Sequence, residues 1–265
     1  MTKKLPFYQI DAFSSQLFGG NPAAVVLLEQ WLPDHQLQAI AAENNLAETA
    51  FMIPDTNEIA LRWFSPLTEV DLCGHATLAA AYVLFTDYYT ELNRLNFTTS
   101  GGLLTVDRQD EWLSLDFPAR PGVSIDISDD LVAALGARPT EVYRSRDLLA
   151  VFDAESAITD LQPDFDRIAK LDGFGLIVTS IGASKGIDFV SRFFVPGAGI
   201  PEAPVTGSTH CTLIPYWAKR LGKQRLQAMQ LSARGGALSC ELHGDRVSIA
   251  GQVVEYLRGE ISIVV

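Results

Sequence analysis

One passage of this chain is written twice. Arg62-Trp63-Phe64-Ser65-Pro66, followed by Gly74-His75-Ala76-Thr77 and Ser100-Gly101-Gly102-Leu103, returns as Arg192-Phe193-Phe194-Val195-Pro196, Gly207-Ser208-Thr209-His210 and Arg234-Gly235-Gly236-Ala237. The copies lie 130, 133 and 134 positions apart in a chain of 265 residues. Half of the chain is therefore one structural unit. A period this long makes two similar domains and not a solenoid, whose units run roughly 20–50 residues. In such a two-lobed molecule the cleft between the lobes is the natural place for a ligand. Pro118, Pro121 and Gly122 interrupt the pattern within Pro118–Ser128, so we expect an N-terminal lobe of residues 1–118 and a C-terminal lobe of residues 119–265. The last strand remains available to pack back on the first lobe.

Each half is long enough to bury a core of its own. The 20 basic residues are outnumbered by 32 acidic ones, for a formal net charge of −12. That balance repels phosphate backbones and anionic membranes, which argues against nucleic acid or a membrane as partner and leaves room for a small anion at one local positive spot. Leu5 to Asp11 is too short and too polar for a signal-peptide core, and the longest apolar run, Leu78 to Phe85, is far short of a bilayer. Cys73, Cys211 and Cys240 are odd in number, so a reducing cytoplasm is the expected location. They also lack metal-ligand spacing. No set of His, Cys and carboxylates has metal spacing, and no Walker or Rossmann glycine pattern appears, so neither a metal nor another cofactor is expected.

Short strands dominate the pattern. Leu5–Ala12 and Ala23–Leu28 are expected as strands joined by a turn at Gly19-Gly20-Asn21-Pro22. Asp34 to Asn44 puts Leu37, Ile40 and Ala41 on one face, which predicts an amphipathic helix. Further strands are expected at Ala50–Pro54, Ile59–Phe64, Leu92–Thr98, Leu103–Asp107 and Trp112–Phe117. Ala76–Phe85 is apolar on every side, the mark of a helix buried all round. The fold class that follows is α+β, with two pseudo-symmetric lobes, each a barrel-like sheet wrapped around a central helix. Cys211–Leu221 is the second such helix, which Pro215 should shorten or kink.

The chemistry concentrates where these helices begin. Gly74-His75-Ala76 and Gly207-Ser208-Thr209 each place a glycine and free backbone N–H groups at a helix N-terminus, which attracts an anion. Taken singly, each glycine reads as a helix-entry turn and Ser208 as an N-cap. Recurrence in both halves favours a shared role in gripping a carboxylate.

Four segments together carry a family resemblance. Gly19-Gly20-Asn21-Pro22-Ala23-Ala24-Val25, Asn45-Leu46-Ala47-Glu48-Thr49-Ala50-Phe51, Asp71-Leu72-Cys73-Gly74-His75-Ala76-Thr77 and Pro204-Val205-Thr206-Gly207-Ser208 resemble the PhzF family of phenazine-biosynthesis-type isomerases, in order and over nearly the whole chain. The resemblance implies a diaminopimelate-epimerase-like fold, a homodimer, and a cofactor-independent isomerase that moves a proton on a small carboxylate-bearing substrate. It implies Glu48 as general acid/base, with His75 and Ser208 as the other catalytic residues. Asn21, Gly74, Thr206 and Gly207 are implied as substrate-binding residues. Local sequence alone favours a solvated glutamate at a loop edge. The catalytic role asks instead for a partly apolar setting that raises the carboxyl pKa, and Leu46, Ala47, Ala50 and Phe51 are the flanks that would supply it.

The chain departs from the family at Ala203, which stands where relatives carry an acid before the proline; the adjacent Glu202 should point elsewhere. Two other readings remain open. In the wider fold, diaminopimelate epimerases and proline racemases use a thiol before the glycine at each helix start. Cys73 matches the first position, but Thr206 stands at the second, so only a one-sided, Cys73-based epimerase is conceivable. A non-catalytic binding protein for small carboxylates is the other alternative. His210 and His243 carry no comparable signal.

Overall fold

A computed structural model of the chain describes residues 2–55 and 58–264. The elements run β1 (Thr2–Ala12), β2 (Asn21–Leu27), α1 (Asp34–Asn44), β3 (Glu48–Ile53), β4 (Ile59–Phe64), β5 (Glu69–Val70), α2 (Gly74–Val83), β6 (Arg94–Thr99), β7 (Gly102–Gln109) and β8 (Trp112–Pro118). They continue as β9 (Val123–Ile125), α3 (Asp129–Leu135), β10 (Glu141–Arg144), β11 (Leu148–Val151), α4 (Glu155–Thr159), α5 (Phe165–Ile168), β12 (Leu176–Ile181), β13 (Phe189–Val195), β14 (Ile200–Glu202), α6 (Gly207–Leu221), β15 (Arg225–Gln230), β16 (Gly236–His243), β17 (Arg246–Gly251) and β18 (Val253–Val264). Two compact units result, one of Met1–Asp116 with Ala250–Val265 and one of Phe117–Ile249.

In the first unit β18 runs antiparallel to β1 with Leu5 opposite Ile261, and β1 is antiparallel to β2. The turn between β1 and β2 requires Gly20. Its φ is +63°, and a Cβ there would stand 2.1 Å from the Ala12 carbonyl oxygen. β2 is parallel to β3 with Ala23 opposite Glu48, and β3 is antiparallel to β4 with Thr49 opposite Phe64. On the edge of β4 opposite β3, the short β5 pairs at one end, Phe64 opposite Glu69, and β6 runs parallel at the other. β7 and β8 extend the sheet as antiparallel neighbours. α2 is buried along nearly its whole length, touches β1, β2, β3, β7 and β18, and continues into a π-helical turn at Leu84–Tyr88. A helix apolar on every side from Leu78 onward belongs in such a setting. Beside it Leu5, Val26, Leu37, Phe51, Phe64 and Ile263 form a second buried cluster under α1.

The second unit repeats the wiring. β10 is antiparallel to β11, β11 parallel to β12, and β12 antiparallel to β13 with Leu176 opposite Phe194. β13 pairs with the short β14, Phe194 opposite Glu202, runs parallel to β15, and β15 is antiparallel to β16. Phe64 and Phe194, which the sequence repeat aligns, thus occupy the same node of the same diagram. The repeated arginines have the same duty. Arg62 makes two 2.7 Å bonds to Glu69, and Arg192 bonds Glu202 at 2.8 and 2.9 Å; each guanidinium also lies over the phenylalanine two positions on. Bidentate pairing of this kind clips β5 to β4 and β14 to β13.

Pro215 does not shorten the helix: α6 runs from Gly207 to Leu221 through it. A proline cannot bond back to the carbonyl four residues earlier, and that carbonyl, of Cys211, accepts the Arg120 N–H at 2.8 Å instead. With its acceptor satisfied from outside the helix, the break costs less than it would in isolation.

Candidate active site

α1 ends at Asn45, whose left-handed conformation (φ 49°) turns the chain, and three residues later Glu48 opens β3. Asn44 Nδ2 donates to Thr49 Oγ1 at 3.0 Å and holds the start of that strand. Asn21 opens β2, two residues before Ala23, the register partner of Glu48. Cys73 precedes α2 in extended conformation, Gly74 is its first residue and His75 its second.

Glu48, Cys73 and His75 come together. His75 Nε2 lies 3.0 Å from Glu48 Oε2, and Cys73 Sγ lies 3.5 Å from His75 Nδ1. The Nε2 contact is close in distance but not aligned as a hydrogen bond, so the buried nitrogen lacks a well-directed partner. The three donor atoms all lie within 4.8 Å of one another. A group of metal-ligating side chains therefore exists where sequence spacing indicated none, because β3 and α2 deliver residues that are distant along the chain.

Burial pushes the Glu48 carboxyl up, but the His75 ring and the Cys73 thiol together bring it below the ordinary carboxylate range. This corrects the expectation of a raised pKa. Burial does desolvate Glu48, and His75 and Cys73 together outweigh it. The Cys73 thiol moves the other way. Burial and the neighbouring Glu48 carboxylate raise it well above its usual value, although the Ala76 N–H opposes them. A thiol held protonated in this way is a poor base.

No side-chain cap bonds the first N–H groups of α2. Thr77 Oγ1 instead donates backwards to the Cys73 carbonyl at 2.5 Å. The start of α6 has the same form: Thr206 is extended, Gly207 is the first residue, no side-chain cap is present, and Thr209 Oγ1 donates to the Thr206 carbonyl at 2.8 Å. Ser208 is half-buried at the second helical position. Both helix starts keep backbone donors available for an anion.

Around α6 the sequence reading missed Gln230. It is fully buried, accepts the Thr206 N–H at 2.8 Å and donates to the Ala203 carbonyl at 3.1 Å, tying both sides of Pro204-Val205 together. Nothing in the local sequence marks it. Ala203 is itself buried, and Glu202 is committed to Arg192, so neither residue replaces the missing acid. His210 is also fully buried. Its Nδ1 lies 2.9 Å from the Thr206 carbonyl, and burial lowers its pKa to about 4 despite that carbonyl, so it is a neutral structural imidazole.

Register shows what the second unit lacks. If Phe64 corresponds to Phe194, Thr49 corresponds to Leu176, and Glu48 to Gly175. A Cβ on Gly175 would come within 2.5 Å of the Phe193 ring. A side chain there requires the Phe193 ring to move.

Among the described residues no helix is long and apolar enough to cross a membrane. Residues 10–259 match the family model for phenazine biosynthesis-like proteins, PhzC-PhzF. An uncharacterized isomerase of Pseudomonas aeruginosa is 51% identical over 98% of this chain and 99% of its own. The crystal structure of a PhzF-family phenazine biosynthesis protein from Enterococcus faecalis is 47% identical, with a TM-score of 0.95 over 98% of this chain and 99% of that one. A hydroxyproline epimerase from Agrobacterium vitis shares the fold at a TM-score of 0.62 and 10% identity, covering 98% of this chain and 91% of that one. Near-complete coverage by both the family model and close relatives means that the chain belongs to the PhzC-PhzF family, on the fold that it shares with that epimerase.

Proposed function

We propose that this protein is a cofactor-independent isomerase that moves a proton on a small carboxylate-bearing substrate, with Glu48 as the general acid/base. The observation that carries the reading is the Glu48 carboxylate held 3.0 Å from His75 Nε2 beside the uncapped start of α2. A carboxylate kept below its usual pKa is ionised at neutral pH and ready to accept a proton. A neighbouring imidazole can share that proton and return it to another atom of the substrate. The amides of Gly74 and His75, and those of Gly207 and Ser208, are the proposed carboxylate grips, with Asn21, Thr206 and the Ser208 hydroxyl completing substrate binding. The glycine at the Glu48 counterpart supports chemistry with one base and not a symmetric two-base racemisation. The relatives named as isomerases fit this reading. We further propose a cytoplasmic homodimer.

The raised Cys73 thiol counts against the thiol-based alternative. Deuterium exchange in heavy water, read by mass spectrometry over a panel of small carboxylates that includes 2,3-dihydro-3-hydroxyanthranilate, tests the proposal. Exchange that Glu48→Gln abolishes is the expected result. Exchange that survives Glu48→Gln and disappears in Cys73→Ala transfers the role to the thiol. Saturable binding without exchange makes the protein a carboxylate-binding module.

A further inference from the structure

We propose that Glu48, Cys73 and His75 also form a binding site for a zinc-class divalent cation, one that competes with the acid/base role of the same residues. Three different donor types converge there: a carboxylate, a thiol and an imidazole, all within 4.8 Å of one another. For tetrahedral zinc, bonds of about 2.3 Å to sulfur and about 2.0–2.1 Å to nitrogen and oxygen put neighbouring ligand atoms roughly 3.3–3.7 Å apart. The sulfur stands 3.5 Å from His75 Nδ1 and the carboxylate oxygen 3.0 Å from His75 Nε2, so the two donors crowd one ring, and rotation of the imidazole and thiol side chains must bring a single nitrogen to face both partners. His75 supplies a second, independent pointer. It is only 7% exposed, and its Nε2 has no well-aligned partner although it faces the carboxylate. Buried polar atoms are ordinarily satisfied, and an ion would satisfy this one.

The backbone favours the site as well. Cys73 and His75 are fixed on either side of Gly74 at the start of a buried helix, and Glu48 is fixed at the start of a central strand. Preformed ligands lose little freedom on binding. The Glu48 side chain is 22% exposed and offers the way in. Three protein ligands leave a fourth position for water, as in zinc sites open to small molecules. A thiol among the ligands selects zinc or cobalt over magnesium and calcium. Coordination replaces the sulfur-bound proton, which passes to buffer, and no electron is transferred. With a Glu48 oxygen and a His75 nitrogen committed to the ion, neither can carry a substrate proton. This consequence for activity rests on the proposed function; the binding does not.

The test uses the full chain stripped with a chelator and dialysed. Zinc sulfate is titrated by calorimetry, and cobalt(II) is followed by absorbance. The expected result is one ion per chain with a Kd of about 1 μM or tighter. Cobalt should give a thiolate charge-transfer band in the near ultraviolet. Cys73→Ser should remove the band and weaken zinc at least about tenfold, Glu48→Gln should also weaken zinc, and His243→Gln, on an exposed histidine, should change neither. Absence of saturable binding overturns the proposal, and so does a cobalt band that survives Cys73→Ser. If that variant does not fold, the wild-type band together with the Glu48→Gln titration decides. Exchange that stops with zinc and returns with chelator supports both the site and the function. Zinc bound at full occupancy while exchange continues supports the site and removes Glu48 from the reaction.

Discussion

The starts of α2 and α6 are nearly the same backbone with different side chains. Cys73 and Thr206 precede the two helices at φ −142°, ψ 104° and φ −133°, ψ 110°, each followed by glycine, and in each case a threonine hydroxyl folds back on the preceding carbonyl. The first start is surrounded by titratable groups: Glu48, Cys73 and His75. The second is surrounded by neutral ones: Thr206, Ser208, Gln230 and a histidine whose burial keeps it uncharged at neutral pH. The two halves therefore share the backbone of the helix start, and only the first gathers a carboxylate, a thiol and an imidazole beside it. A helix start is made by backbone and survives side-chain change; a base needs one particular carboxylate with space and neighbours to hold it.

The largest expected effect breaks the chemical half of this comparison. Glu48→Gln keeps shape and loses the titrating group, so solvent exchange should fall by the ~10²–10⁴-fold typical of a general acid/base, with the melting temperature little changed. A comparable loss from Ser208→Ala would mean that the two starts share the proton work, and the asymmetry would be gone.

The next prediction concerns His210. Its pKa falls from an ordinary 6.5 to about 4 in the folded protein, so between those values the unfolded chain binds more protons. Stability therefore rises with pH across this window. The contribution is fully present above about pH 6.5 and is lost as the pH falls toward 4, amounting to about 3 kcal/mol. Urea unfolding at a series of pH values checks this. His210→Phe should flatten the slope within that window; an unchanged slope means that the imidazole is hydrated in solution.

Gly175→Ala tests the register that equates this glycine with Glu48. The added carbon meets the Phe193 ring and, at 3.0 Å, the Phe194 carbonyl oxygen, and overpacking of this kind costs about 1–3 kcal/mol. A thermal melt that does not move would show that the site can open, and with it that a second carboxylate was sterically possible.

How much of this was legible along the chain depended on the range of the interaction. α1 falls on the predicted Asp34–Asn44 and β4 on the predicted Ile59–Phe64, because one carries a helical period and the other an apolar run bounded by turn residues. α2 was visible because nothing but burial suits the unbroken apolar run Leu78–Phe85. α3 was missed although it carried its signals: Ser128 accepts the Leu131 N–H, Asp129 and Asp130 fill the first turn, and Gly136 closes it with φ +72°. β11 and β12 are buried on both faces, so no alternation marks them. The junction of Cys73 with Glu48 could not be read at all, because 25 residues separate them and only the pairing of β2 with β3 and the packing of α2 bring them together. The tolerance of α6 for Pro215 is also non-local, since the stray carbonyl is satisfied by Arg120 from the segment that follows β8.

The smallest expected effect compares the two repeated arginines. Both hold a glutamate on a neighbouring short strand, but Arg62 does so at a more open place: Glu69 is 35% exposed, and the further partner, Asp34, is 75% exposed. Arg192 is 15% exposed and Glu202 20%, and Arg192 Nη1 also donates to the carbonyl of the buried Ile158 at 2.9 Å. Exposed ion pairs are worth about 0–1 kcal/mol, because water and salt screen them. Removing a donor from a buried carbonyl and a half-buried carboxylate leaves both unsatisfied, which costs about 1–3 kcal/mol. Arg192→Gln should therefore destabilise the protein more than Arg62→Gln, and the gap should persist in high salt, whereas the smaller loss at Arg62 should shrink. Chemical denaturation of the two variants at low and high ionic strength reads both differences. Equal losses with equal salt dependence would mean that the two clips are interchangeable, and that the halves diverged only where the chemistry is.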